Sequence, residues 1–286
     1  MLTVMLLWVS EALPMAVTAI LGPMLAIVLQ VAPARSTLAP FADPIIFLFI
    51  GSFILAQAMF VHGVDRRIAY TALASRGVGA SPARILVVYG GVATALSMWI
   101  SNTATTAMMF PIGLSIVAHL RKVTSSSEAN IRKFALVMML ITSFGASIGG
   151  IGTPVGTPPN LIGIGMLQRI AGVRITFFSW MALGVPIVVI LFLFLVVMFH
   201  MTAGRGVTVG HHSHSLVADE LAKLGPLSKA QRNVFLAFGL TVALWVLPGF
   251  LAVAGVDQST FGRAYSAAVP EGVAAMIGAL LLFVVP

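Results

Sequence analysis

Ser97, Ser101, Asn102 and Thr103 place three hydroxyls and one carboxamide within seven residues, and Gly149 to Asn160 packs four glycines and three prolines into twelve. Neither stretch contains a Lys, Arg, His, Asp or Glu. Uncharged oxygens of this kind, hydroxyl, carboxamide and main-chain carbonyl, suit a hard cation. The free amides of a helix start suit an anionic group. Catalysis is poorly served, because Ser101 as a nucleophile needs a base on a facing span, and no His, Lys or acid is embedded in one. The absence of cysteine removes disulfides, thiolate metal sites and thiol nucleophiles.

Only a membrane places such residues in a low-dielectric setting in this chain. Hydrophobic residues make up 59% of it and charged ones 8%, with a mean hydropathy of +1.06. No water-soluble globule of this size can be covered with so little polar surface. The arms flanking Ser101–Thr106 are Ile85 to Ile100 and Ala107 to His119, 16 and 13 residues. At 1.5 Å per residue they give roughly 24 and 20 Å of helix, short of the roughly 30 Å of hydrocarbon. The expectation is a re-entrant hairpin over 85–119 with its polar tip at mid-depth, enclosed by protein so that its backbone groups stay paired. The glycine-proline run predicts a second interruption, a broken span over 134–167, because proline removes an amide and glycine is costly inside a helix.

The basic residues set the orientation. Loops 62–84, 120–133 and 203–232 carry twelve Lys and Arg, against four (Arg35, Arg169, Arg174, Arg263) in the alternate loops. The positive-inside rule then puts the first set in the cytoplasm and explains the net charge of +8 without nucleic acid. The hairpin enters from the cytoplasmic side, and Glu11 and Pro14 form a tight cytoplasmic turn. Residues 1–202 read as a first repeat: the end of one span, two full spans, the hairpin, the broken span and a span over 176–200. Residues 203–232 form a cytoplasmic loop, and 233–286 the first two spans of an incomplete second repeat. Leu2 to Val9 returns approximately as Leu240 to Val246, each followed by Leu-Pro and running in opposite directions, as an inverted repeat would. Both ends fall in apolar sequence, so the chain is expected to be part of a longer protein. His211, His212 and His214 in the long loop are a weaker metal candidate. Trp8, Trp99, Trp180 and Trp245 read as packing or interface residues.

At the two interruptions, helices ending at Ile100 and Ile148 present carbonyls, and those beginning near Thr103 and Asn160 present amides, each terminus worth about half an elementary charge. Ser97 lies one turn before Ser101, so its hydroxyl can join Ser101, Asn102 and a carbonyl near Gly150 around sodium. Two helix starts offer roughly one positive charge to a dianion that carries two, which leaves desolvation uncompensated unless metal cations accompany it. Proton coupling lacks an embedded acid.

Four ordered stretches, Ser97 to Thr106, Gly156 to Asn160, Ser10 to Pro14 and Pro44 to Phe53, together resemble the divalent anion/sodium symporter family. The resemblance implies an all-α polytopic membrane protein with an elevator-type transporter fold, usually a homodimer in the cell membrane. It also implies sodium-coupled transport of C4-dicarboxylates, citrate or sulfate. Carried over, Ser97, Ser101, Asn102, Gly150 and Gly152 serve sodium, while Asn102, Thr103, Thr157 and Pro158 serve the small anionic substrate. The family's second Ser-Asn-Thr hairpin and second broken span have no counterpart here. A related arsenite or citrate carrier, or a transport-inactive fragment, is the alternative.

Overall fold

A computed structural model describes residues 2–75, 78, 81–124, 126–203 and 213–285. Among the described residues there is no strand. The helices are α1 (Leu2–Val9), α2 (Met15–Val28), α3 (Ala34–Leu38), a single 3-10 turn (Ala39–Ala42), α4 (Pro44–Val61), α5 (Val64–Leu73), α6 (Pro82–Ser97), α7 (Asn102–Val123), α8 (Glu128–Gly149), α9 (Pro158–Ala171), α10 (Phe177–Ala203), α11 (Ser213–Lys223), α12 (Lys229–Val253), α13 (Thr260–Ala268) and α14 (Glu271–Val284). Five of them, α4, α7, α8, α10 and α12, are long and apolar enough to cross a membrane, and α13 and α14 form a further pair bent by 65°. The protein is an all-α, multi-pass membrane protein.

The chain divides into two compact units, Met1–Phe47 and Leu48–Pro286. In the first, α1 and α2 fold back on each other about the Ser10–Pro14 turn. Trp8 Nε1 donates to Met15 O at 3.4 Å, and Val4 packs against Gly22.

In the second unit α6, α7 and α8 form the core. Tyr89, fully buried on α6, donates its hydroxyl to Met109 O of α7 at 2.8 Å and accepts from the Thr142 hydroxyl of α8 at 2.8 Å. One phenol thus ties all three helices, in surroundings where an unpaired hydroxyl would cost more than the bond returns. Gly145 and Gly149, one turn apart on α8, let α6 approach to backbone distance at Thr94, the small-residue packing that apolar bundles favour.

Two helices differ from the sequence expectation. Of the hairpin arms, α6 is short at 16 residues, but α7 has 22 residues and runs from Asn102 itself past His119. Counting apolar residues missed this because the Thr106 hydroxyl turns back to Asn102 O at 2.8 Å, so the polar tip is the first turn of the helix. The mid-depth inference from two short arms therefore stands on α6 alone. The loop 203–232 contains α11, which packs on α5 and α7 with Val217 buried. His211 and His212 lie outside the described residues, as does the side chain of His214.

Arg67 of α5 clasps the turn after α11. Its guanidinium donates to Leu224 O and Gly225 O at 3.0 Å and to Gln231 Oε1 at 2.9 Å, and Gln231 Nε2 donates to His62 O at 2.9 Å. Next to it, Asp65 is only 2% exposed. Burial pushes its carboxyl above the ordinary 3.8, against the pull of the Arg66 amide and guanidinium. The folded chain thus holds this proton more tightly than the unfolded chain does. Stability is favoured below the ordinary value and lost as pH rises through the folded one. Asp65→Asn is expected to melt higher than wild type at pH 7, with the difference vanishing below pH 3.8. Equal melting curves at both ends of that range would show that the charge is not a cost.

Candidate functional site

The residues between α6 and α7, Met98 to Ser101, turn the chain so that three helix ends meet. Ser101 starts α7 by accepting the Ala104 amide on its hydroxyl at 3.3 Å, the usual work of a serine before a first turn. The Ser101 and Thr103 side chains stay exposed. Ser97 is fully buried at the last turn of α6 and donates its hydroxyl to Asn102 Oδ1 at 2.8 Å. Asn102 also lies directly against Gly150, at the end of α8. A Cβ built on Gly150 would sit 3.0 Å from Asn102 Nδ2 and would collide with Oδ1. Of the residues expected to hold a cation, Ser97, Asn102 and Gly150 are thus brought together. Gly152 packs against the Met98 side chain instead.

The break from Gly150 to Thr157 is a turn in which the carbonyls of Gly150, Ile151, Thr153 and Thr157 each accept a hydrogen bond. Asn160 Nδ2 donates to Gly150 O at 2.8 Å and to Thr153 O at 2.9 Å. The Gly152 amide donates to Gly149 O at 2.8 Å, and the Thr153 hydroxyl donates to Met98 O, joining the break to the tip. A carbonyl oxygen has two lone pairs, so Gly150 O keeps one beyond its bond to Asn160. Gly156 has no room for a side chain: a Cβ there would sit 2.7 Å from Gly150 O and 3.0 Å from Met98 O.

Beyond the break, Pro158 and Pro159 do not interrupt a helix but open α9, at positions where a missing amide is tolerated. That reduces what α9 offers an anion, because its first two residues have no N–H to give. Thr157 stands before them, half-buried and without a capping bond, and Pro158 is exposed.

Four residues that hold the site together were not among its expected members: Thr153, Met98 through its carbonyl, Asn160, expected only as a helix start, and Trp180, expected only as a packing or interface residue. Asn160 stood inside a conspicuous Gly-Thr-Pro-Pro-Asn run, and its carboxamide beside a glycine-rich turn was a usable signal. Trp180 had none. Its indole N–H donates to Ile151 O at 2.8 Å from α10, 29 residues away. Trp99 of the tip stacks on Phe177, with ring centroids 6.3 Å apart, and Phe177 stacks on Trp245 at 4.5 Å. The first turns of α10 and one face of α12 therefore wall the tip. Among the described residues, no group of three or more His, Asp or Glu could hold a metal ion.

Three helix ends thus meet through uncharged oxygens inside a bundle of apolar helices, several of them long enough to cross a membrane. The chain belongs to the sodium:sulfate symporter family, matching the description "Sodium:sulfate symporter transmembrane region" over residues 1–286. It is 33% identical over 282 residues to a sodium-dependent dicarboxylate transporter, SdcS, of Staphylococcus saprophyticus. It is 31% identical over the same length to the SdcS of Staphylococcus aureus strain USA300. Each match covers 98% of this chain and 52% of the relative, so the chain spans about half the length of these proteins. The resemblance read from the four motifs is borne out at the level of the family.

Proposed function

We propose that this chain supplies one half of a carrier that couples the movement of a divalent anion to sodium, with C4-dicarboxylates as the first substrate class and citrate or sulfate next. The observation that carries this reading is Asn102, set between the Ser97 hydroxyl and Gly150 where α6 and α8 end and α7 begins. In it, Ser97, Ser101, Asn102 and the carbonyl of Gly150 hold the sodium ion, while Gly152, expected from the sequence to share it, serves the turn. While its proton goes to Asn102 Oδ1, the Ser97 oxygen keeps two lone pairs, so both oxygens are available to one cation. Asn102 and Thr103, at the amide end of α7, take a substrate carboxylate, with Thr157 and Pro158 facing it from the start of α9.

The charge balance favours the ion. No basic side chain lies within either stretch, and a helix start provides about half an elementary charge. With α9 opening on two prolines, the amide contribution is smaller still, and a dianion needs cations to enter with it. The names of the staphylococcal relatives support both the ion and the substrate class. An elevator-type movement, a homodimeric assembly and residence in the cell membrane belong to the same reading, through the family resemblance.

The test is uptake into proteoliposomes holding the full-length protein. Labelled succinate or sulfate should accumulate only under an inward sodium gradient, and equal uptake in choline or potassium medium would end the sodium assignment. A panel of labelled anions under the sodium gradient then ranks the substrates.

A further inference from the structure

We infer that Trp180 and Gly184 of α10 are positioning residues for sodium binding at the tip, an inference that rests on the reading above. Neither is expected to touch the ion. They set the orientation of the Ile151–Gly152 peptide plane, one residue beyond Gly150.

The Ile151–Gly152 peptide is fixed at both ends. Its N–H, from Gly152, donates to Gly149 O at 2.8 Å, and its carbonyl, Ile151 O, accepts the Trp180 indole N–H at 2.8 Å. The second bond comes from another helix, so the rotation of this plane is set by α10 and not by the turn itself. One turn along α10, Gly184 is buried and stands against the same two carbonyls: a Cβ there would lie 2.9 Å from Ile151 O and 3.2 Å from Gly152 O. The helix thus pulls on Ile151 O through Trp180 and makes room for it through Gly184. The adjoining plane is fixed separately, since Gly150 O accepts from Asn160 Nδ2 at 2.8 Å. With the plane after Ile151 turned toward α10 and Gly150 O held by Asn160, Gly150 keeps its place against Asn102.

Freeing one plane lets Gly150 rotate relative to Asn102, so the cation site loses definition while the helices stay packed. Residues that orient metal ligands in this way are worth roughly 10–100-fold in affinity. Trp180→Phe keeps an aromatic ring but removes the N–H donor together with part of the indole. Gly184→Ala pushes on the same carbonyls from the other side.

Both variants are read in the full-length protein by two measurements. Sodium titration of uptake at saturating anion should show a half-saturation raised about tenfold, with the anion half-saturation at saturating sodium little changed. The rise in melting temperature produced by sodium without anion should move to correspondingly higher sodium concentration. Leu183→Ala, on an exposed part of the same turn, should move neither. If Trp180→Phe lowers the melting temperature but leaves the sodium midpoint of both measurements where it was, the residue is structural only and the inference is overturned. A wild-type protein with no sodium dependence would instead overturn the transport reading itself, a different and separately visible failure.

Discussion

Asn102→Ala is expected to abolish sodium-driven uptake while leaving the protein folded. The substitution removes the only carboxamide of the tip, and with it the oxygen that Ser97 donates to at 2.8 Å and the group packed on Gly150. A lost ligand costs more than a lost orienting group, so the sodium half-saturation should rise by ~100-fold or more. Leaving the buried Ser97 hydroxyl without its acceptor costs about 1–3 kcal/mol, and α7 keeps its start because Ser101, not Asn102, accepts the Ala104 amide. The bond from the Thr106 hydroxyl runs to the backbone carbonyl of residue 102 and survives in alanine. Uptake at background together with an unchanged elution profile and a melting temperature only a few degrees lower is the expected result. Wild-type kinetics in this variant would show that the tip is a helix cap and nothing more.

How much of this was legible in the sequence depended on whether a residue acts on its neighbours or across the bundle. The serine before α7 and the glycine-proline break follow from local chemistry, since capping, proline sterics and glycine freedom act within a few residues, while the closeness of the break to Asn102 was expected from two interruptions at one membrane depth. The length of α7 did not follow, because threonines that satisfy their hydroxyls on their own helix read as polar in a hydropathy count and yet leave the helix intact. For the same reason Pro158 and Pro159 read as part of a gap when they are the start of α9. Helix α11 was hidden in a loop of mixed polarity, because its burial comes from α5 and α7. Trp180 and Thr153 were out of reach altogether. Their hydrogen bonds cross 29 and 55 residues of chain to backbone carbonyls that have no side-chain identity to betray them.

Neighbouring glycines at the end of α8 should separate folding from function. Gly149 is helical, where alanine is intrinsically better by about 1 kcal/mol, so propensity alone predicts that Gly149→Ala stabilises. Space decides otherwise: the added Cβ would lie 2.8 Å from Thr94 C and 3.0 Å from Thr94 Cα and would collide with Thr94 O. That is backbone on a helix already pinned by Tyr89, and it has no side chain to swing away. The cost should reach about 3 kcal/mol or more, seen as a lowered melting temperature and a poor yield of folded protein whatever the sodium concentration. Gly150 has φ −55° and ψ −19°, a conformation that alanine adopts without strain. The three atoms nearest its added Cβ all belong to the Asn102 carboxamide, a side chain that can rotate out of the way. Gly150→Ala should therefore fold and melt like wild type, yet need roughly 10–100-fold more sodium for half-maximal uptake, because the group that moves is the proposed ligand. A Gly150→Ala protein with wild-type sodium affinity would show that the contact between the break and the tip is packing alone. A Gly149→Ala protein of normal stability would show that α6 and α8 are not held at backbone distance.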